Sequence, residues 1–186
     1  MSLINTTYFK GSLFIPNINS VLGNGETPVT NKLNMLIDTE EPKLLVELFG
    51  YQMYQDIINN PDTICNKNLL CGVDFIDSCK RNNHWGGLIE CKKMLCSVQG
   101  KSLIAMYIYT RWQELHGTIS TGIGEVKPNT DNGEHAYNWH KYVSVYNEMV
   151  SEISLLYEYL QANKACYPLW NNRTCKRFKK INTFGL

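Results

Sequence analysis

Between Tyr142 and Leu160 the apolar residues recur at alternating steps of four and three: Tyr142, Tyr146, Met149, Ile153, Leu156 and Leu160. That spacing fits one face of a helix and excludes a strand, whose faces repeat every second residue. Val143, Val150 and Tyr157 widen the stripe into a broad face, which predicts burial inside a bundle rather than along the narrow seam of a two-stranded coiled coil. A helix of about twenty residues or more is expected, ended by Pro168, which has no amide hydrogen to continue it. Leu103, Ile104, Tyr107, Ile108, Trp112 and Leu115 form a second stripe and predict a helix over Lys101 to His116. Gly117 stands at its C-terminal stop, and His116 is placed to interact with the carbonyl end.

Upstream the pattern is more broken. Thr7 to Ile18 reads as a strand or extended arm, because Gly11 and Pro16 oppose a helix. Asn31 to Asp38 reads as a short helix. Pro42, behind Glu40 and Glu41, suits the first position of another, with Leu44, Leu45, Leu48, Tyr51, Tyr54 and Ile58 on one face. Gly50 weakens that helix by about 1 kcal/mol relative to Ala, so a bend or close contact is expected there. From Pro61 to Gly100, five cysteines, Asn82-Asn83 and Gly86-Gly87 break any period. A short helix near Leu69 to Ile76 and a small hairpin around Trp85 to Met94 are expected in that stretch. Thr118 to about Glu134 reads as a polar loop, with Gly122, Gly124, Pro128 and Asp131-Asn132-Gly133 marking turns. The fold expected is mainly α: a helical bundle with a long C-terminal helix, an extended N-terminal arm and a small β-hairpin. Its parts are an arm over 1–30, a helical domain over 31–170 and a basic tail over 171–186.

Composition supports one soluble globular domain. The 186 residues are 44% hydrophobic, enough for a core that buries about 70% of the unfolded surface without metal or disulfide staples. No apolar run approaches the ~18 residues of a membrane helix. The formal charge of +1 conceals an asymmetry: Arg173, Lys176, Arg177, Lys179 and Lys180 follow the last acidic residue, Glu158, leaving −4 on the first 172 residues and +5 beyond. Such a tail attracts phosphate or an acidic protein surface; a solubilising end or a partner contact is expected ahead of a specific nucleic-acid reader.

Catalytic signatures are weak. The seven cysteines, at 65, 71, 79, 91, 96, 166 and 175, are odd in number, contain no Cys-x-x-Cys, and follow a start (Met1 to Pro16) without the charged and apolar regions of a secretory signal. Reduced thiols acting as small hydrophobes are therefore expected, with neither a disulfide framework nor a metal site, and the sequons at Asn5 and Asn172 carry no weight. His135 and His140 lie five residues apart, off the four-residue step that aligns two imidazoles on a helix; His84 and His116 are isolated in sequence. Gly122-Ile123-Gly124 lacks the remainder of a phosphate loop, and Asp131, Asn132 and Glu134 lack the alternating oxygen ligands of a calcium loop. Other acidic residues are scattered and expected on solvent faces. Eleven tyrosines and four tryptophans exceed what one core usually needs and suit subunit interfaces.

Several phrases carry a family resemblance: Glu41-Pro42-Lys43-Leu44-Leu45 to Gly50-Tyr51 and Tyr54; Lys101-Ser102-Leu103-Ile104-Ala105 to Tyr109; Gly122-Ile123-Gly124-Glu125; Lys141 to Asn147-Glu148-Met149-Val150; and Tyr167-Pro168-Leu169-Trp170. Over about residues 31–170 the chain resembles head-to-tail connector (adaptor, neck) virion proteins of crAss-like and related tailed phages that infect Bacteroidota. The resemblance implies a non-enzymatic, mostly helical protein without cofactor or metal, made in the bacterial cytoplasm and built into the phage neck. It also implies a homo-oligomeric ring, dodecameric in most such proteins, between the portal protein and neighbouring neck or tail proteins, with non-specific DNA contact and no membrane. Under it, the N-terminal arm and the loop bearing Gly122, Gly124, Lys127 and Asp131 reach neighbouring subunits. The basic tail then touches an adjacent ring component or the DNA. Two rivals remain: a nucleic-acid-binding regulator that uses the tail, and an enzyme that uses Cys and His, which requires a low-pKa thiol.

Overall fold

The computed structural model describes residues 2–16, 18, 28–89, 102–116, 119–121, 124–126, 139–172 and 175–182. Among them, five helices and two hairpins follow in the order α1 (Pro28–Phe49), α2 (Tyr51–Asn59), α3 (Ile64–Cys71), β1 (Val73–Ile76), β2 (Asn82–Trp85), α4 (Leu103–His116), β3 (Ile119–Thr121), β4 (Gly124–Val126) and α5 (Trp139–Ala162). The mainly helical class with a small hairpin is as expected.

The reason α4 lies at the centre is its burial on every side: Leu103 through Thr110 are all buried, so only a helix surrounded by others satisfies the sequence. It packs between α1 and α5. Ser102 caps it, accepting from the Ala105 amide at 3.1 Å while its own hydroxyl donates to the Leu88 carbonyl at 2.9 Å, which ties the helix start to the chain leaving β2. The α5 stripe points inward as its spacing predicts. Met149, Ile153, Leu156 and Leu160 are at most 2% exposed, and each such side chain contributes about 1.5–3 kcal/mol by leaving water. Leu115, by contrast, faces solvent at the end of α4.

Three boundaries differ from expectation. Asn31–Asp38 and the helix entered at Pro42 are one helix, α1, with Pro42 inside it. Leu33, Ile37, Leu44, Leu45 and Leu48 form one buried stripe across the proline, and that burial outweighs the single backbone hydrogen bond Pro42 cannot donate. Gly50 does break the next helix. Its φ of +78° and ψ of 162° turn the chain so that Met53 and Ile57 of α2 enter the core while Tyr51 is exposed. The helix expected at Leu69–Ile76 lies earlier, as α3, and the hairpin expected at Trp85–Met94 is instead β1–β2, antiparallel with Val73 opposite Trp85 and Ile76 opposite Asn82; residues 90–94 lie outside the described residues. Two observations explain this placement. Asp77 accepts from the backbone amides of Cys79 and Arg81, the Arg81 Nε and the Asn83 side-chain Nδ2, which organises the turn. Trp85, fully buried, donates from its indole to the Leu69 carbonyl at 2.9 Å and stacks on Tyr159.

The N-terminal arm crosses the body in two short 3₁₀ turns, Thr6–Tyr8 and Gly11–Leu13, rather than as a strand. Ile4, Phe9, Leu13, Ile15 and Ile18 are buried. In the segment expected as a polar loop after α4, Ile119–Thr121 and Gly124–Val126 pair as an antiparallel hairpin, β3–β4, with Ile119 opposite Val126.

Candidate functional site

A connected set of polar side chains lies where α1, α4, α5 and the C-terminal segment meet. Glu40, on the buried side of α1, receives the Tyr107 hydroxyl and the Arg111 Nε, each at 3.2 Å, and the Lys43 ammonium at 2.7 Å. Arg111 also pairs with Glu114, whose other oxygen accepts from the Tyr142 hydroxyl at 2.8 Å. Burial alone would raise the Glu40 carboxyl, but Lys43, Arg111 and the Tyr107 hydroxyl hold it below its ordinary value. Glu41, 2% exposed, accepts from the amides of Leu3 and Ile4 and so fastens the arm to α1; burial outweighs those donors and pushes its carboxyl up. These two residues correct the expectation that the acidic side chains lie on solvent faces. Glu40 and Glu41 are buried because their partners are local cations, a tyrosine and otherwise unpaired backbone amides.

The basic tail runs over this region as a strap. The Lys176 amide donates to the Glu47 carbonyl at 3.0 Å, and its ammonium lies 2.8 and 2.9 Å from the two Glu47 oxygens. The Tyr157 hydroxyl donates to the Lys176 carbonyl at 2.7 Å. Five residues on, the side-chain amide of Asn147 imitates a strand partner: its nitrogen donates to the Ile181 carbonyl at 2.9 Å and its oxygen accepts the Ile181 amide at 2.7 Å. Between these pins Phe178 meets Tyr107 edge-on. Cys175 is buried, which pushes its thiol up. Of the cations expected to meet a partner, Lys176 is turned onto the chain's own Glu47, while Arg177, Lys179 and Lys180 are exposed along the strap; Arg173 lies outside the described residues. In the expected inter-subunit loop Gly124 opens β4, and Gly122, Lys127 and Asp131 lie outside the described residues.

The cysteines overturn the expectation of reduced thiols. Cys65, near the start of α3, is bonded to Cys166, in the turn after α5, across 101 residues with Cα atoms 5.7 Å apart. Cys71, at the other end of α3, is also disulfide-bonded, to a partner outside the described residues. Parity and local spacing do not decide pairing; proximity in the fold does. Cys79 and Cys175 are free. Among the described residues no group of three or more His, Cys, Asp or Glu is arranged to hold a metal.

The histidines are drawn into local structure. His116 stacks on Trp112 and bonds its carbonyl at 3.0 Å, the helix-end contact its position predicts. His84, isolated in sequence, faces Asp74 across β1–β2 with Nδ1 and Oδ1 2.5 Å apart, beside an open groove of about 430 Å³. His140 is exposed, and His135 lies outside the described residues. Most of the aromatic surplus is consumed within the chain. Trp85, Trp112, Trp170, Tyr107, Tyr109, Tyr142, Tyr159 and Tyr167 are all buried without any second subunit. Asn147, Glu47 and Tyr157, which hold the strap, give no sequence signal, since each acts on residues 19 to 129 positions away.

No helix among the described residues is long and apolar enough to cross a membrane. Comparison with known proteins found no matching family model, no matching curated protein and no matching solved structure.

Proposed function

We propose that the protein is a structural subunit of a phage neck, forming a homo-oligomeric ring that connects the portal to the tail without catalysing a reaction. One observation carries this reading. The phrases that resemble connector proteins fall on α1, α2, α4, α5, the turn after α5 and the β3–β4 hairpin, and the helices that carry them pack on one another, α1 on α2 and α4, and α4 on α5, with Tyr167 against Tyr159. The helical part of the resemblance therefore follows neighbouring elements of the bundle. In this reading α4 and α5 form the rigid body of each subunit, and the hairpin-bearing loop between them contacts the neighbour. The arm serves its own subunit first, because its apolar residues already lie in that subunit's core. The exposed Arg177, Lys179 and Lys180 face an acidic surface of an adjacent ring. A free DNA-binding tail is less favoured, since the tail is pinned at Glu47 and Asn147.

Electron microscopy and native mass measurement of the full chain, alone and mixed with its portal, test the assignment. Rings or portal-bound oligomers are expected. A protein that stays monomeric at high concentration and never joins portal-containing particles refutes it.

A further inference from the structure

We propose that the Cys65–Cys166 bond is an oxidation lock: it closes on a chain that is already folded, and it fixes the C-terminal strap to α3. This goes beyond the ring assignment and does not depend on it.

The first argument is preorganisation. The Tyr167 hydroxyl donates to the Cys65 carbonyl at 2.6 Å, and the Tyr159 hydroxyl lies 2.8 Å from that of Tyr167. With the Tyr167 proton committed to Cys65, Tyr159 is the donor in the second bond. Tyr167 and Trp170 are both buried. These contacts hold the residue next to Cys166 against the backbone of Cys65, so the two thiols meet without needing the covalent bond to bring them together. The Cα separation of 5.7 Å lies within the span a disulfide bridges.

Access is the second. Cys166 is exposed and Cys65 half-buried, so a small reagent reaches Cys166 first. The Cys166 thiolate attacks a low-molecular-weight disulfide such as oxidised glutathione, forming a mixed disulfide and releasing one thiol. The Cys65 thiolate then attacks the Cys166 sulfur and releases the second. The protein loses two electrons and two protons, and the reagent gains them as two thiols. A dithiol reductant reverses the step.

The position of the bond decides what it controls. The chain that runs through the buried Tyr167 and Trp170 to the strap follows directly on Cys166, and the bond ties it to α3, an eight-residue helix too short to persist alone. With the bond closed, the strap departs from a covalently fixed point. With it open, hydrogen bonds and side-chain packing alone hold the segment.

The test compares full-length wild type, oxidised with glutathione disulfide or reduced with dithiothreitol, with a Cys65→Ser/Cys166→Ser variant. Tryptic cleavage at Lys176, Arg177, Lys179 and Lys180 reads strap opening. The reduced wild type is expected to keep its helical circular dichroism, to melt roughly 10 °C lower, and to be cut on the order of tenfold faster. Under oxidising conditions the variant should match the reduced wild type in both readouts, apart from the response belonging to Cys71. Three results overturn the proposal: Cys65 and Cys166 remain alkylatable after oxidation; the oxidised variant melts and is cleaved like oxidised wild type; or the oxidised variant, which keeps the Cys71 bond, lacks the helicity of oxidised wild type, which would make the Cys65–Cys166 bond a requirement for folding. The alkylation measurement needs no substitution.

Discussion

Replacing Gly72 by alanine tests the junction between α3 and the β1–β2 hairpin, and Gly50→Ala supplies its control. Both glycines have positive φ and extended ψ, +86° and 156° at Gly72 and +78° and 162° at Gly50. An alanine therefore carries a similar backbone strain at each, about 1–3 kcal/mol. The entropy lost by the unfolded chain is also the same and cancels in the comparison. Their surroundings differ. A Cβ at Gly50 meets nothing within 4 Å, whereas one at Gly72 falls 2.5 Å from the Trp85 carbonyl oxygen and 2.8 Å from the Gly86 carbonyl carbon. Those are backbone atoms, which no side-chain rotation moves away. Relief to an ordinary 3.4 Å requires the two segments to part by roughly 0.9 Å, too far for close-packed surroundings to absorb. Three hydrogen bonds span the same gap: Leu88 amide to Leu69 carbonyl at 3.1 Å, Ile89 amide to Leu70 carbonyl at 3.0 Å, and the Trp85 indole to Leu69 at 2.9 Å. At about 1 kcal/mol each, their loss makes Gly72→Ala about 3 kcal/mol worse than Gly50→Ala. In a chain of this size that is a gap of roughly 6–12 °C in melting temperature. Thermal and urea unfolding followed by circular dichroism measure it, with an unchanged urea slope showing that stability alone has moved. If the two variants melt within about 2 °C of each other, the close approach of the two segments is wrong.

Two further outcomes follow from the polar network and the strap. Glu40→Gln is expected to cost about 1–2 kcal/mol at neutral pH. Because the Glu40 carboxyl is held low in the folded protein, its contribution is present above the ordinary value of 4.5 and is lost as pH falls through the folded value, so wild type and variant should converge in acid. A difference that is constant with pH refutes the pairing; Glu41, pushed the other way, does not produce it. Asn147→Ala removes both bonds to Ile181 and should increase tryptic cleavage at Lys179 and Lys180 while leaving the helical signal intact, whereas a tail independent of the body would show no change.

The sequence was most informative where one element's pattern sufficed to define it. Met149, Ile153, Leu156 and Leu160 specify α5 because a long helix with one buried face leaves a repeat that few other structures share. Gly50 marked a real break, since only its missing side chain permits that backbone conformation. Pro42 misled because its local preference for a helix start was overridden by the buried stripe from Leu33 to Leu48. The Asn82–Trp85 strand has no alternating pattern of its own; Asp77 and the Trp85 indole make it a strand. The Cys65–Cys166 bond and the Asn147–Ile181 pair were illegible for a common reason: each joins residues whose meeting depends on the finished packing of several helices.

Pinning the strap changes how far its charge can reach. A flexible segment of ten residues would carry its cations over roughly 17 Å, catching any anion within that radius. Held at Lys176 and again at Ile181, the backbone bearing Arg177, Lys179 and Lys180 has only four residues between fixed points. Their range shrinks to that of the side chains themselves. An anionic partner must bring its charges to fixed positions on this molecule, so spacing and orientation, more than attraction at a distance, decide what binds there.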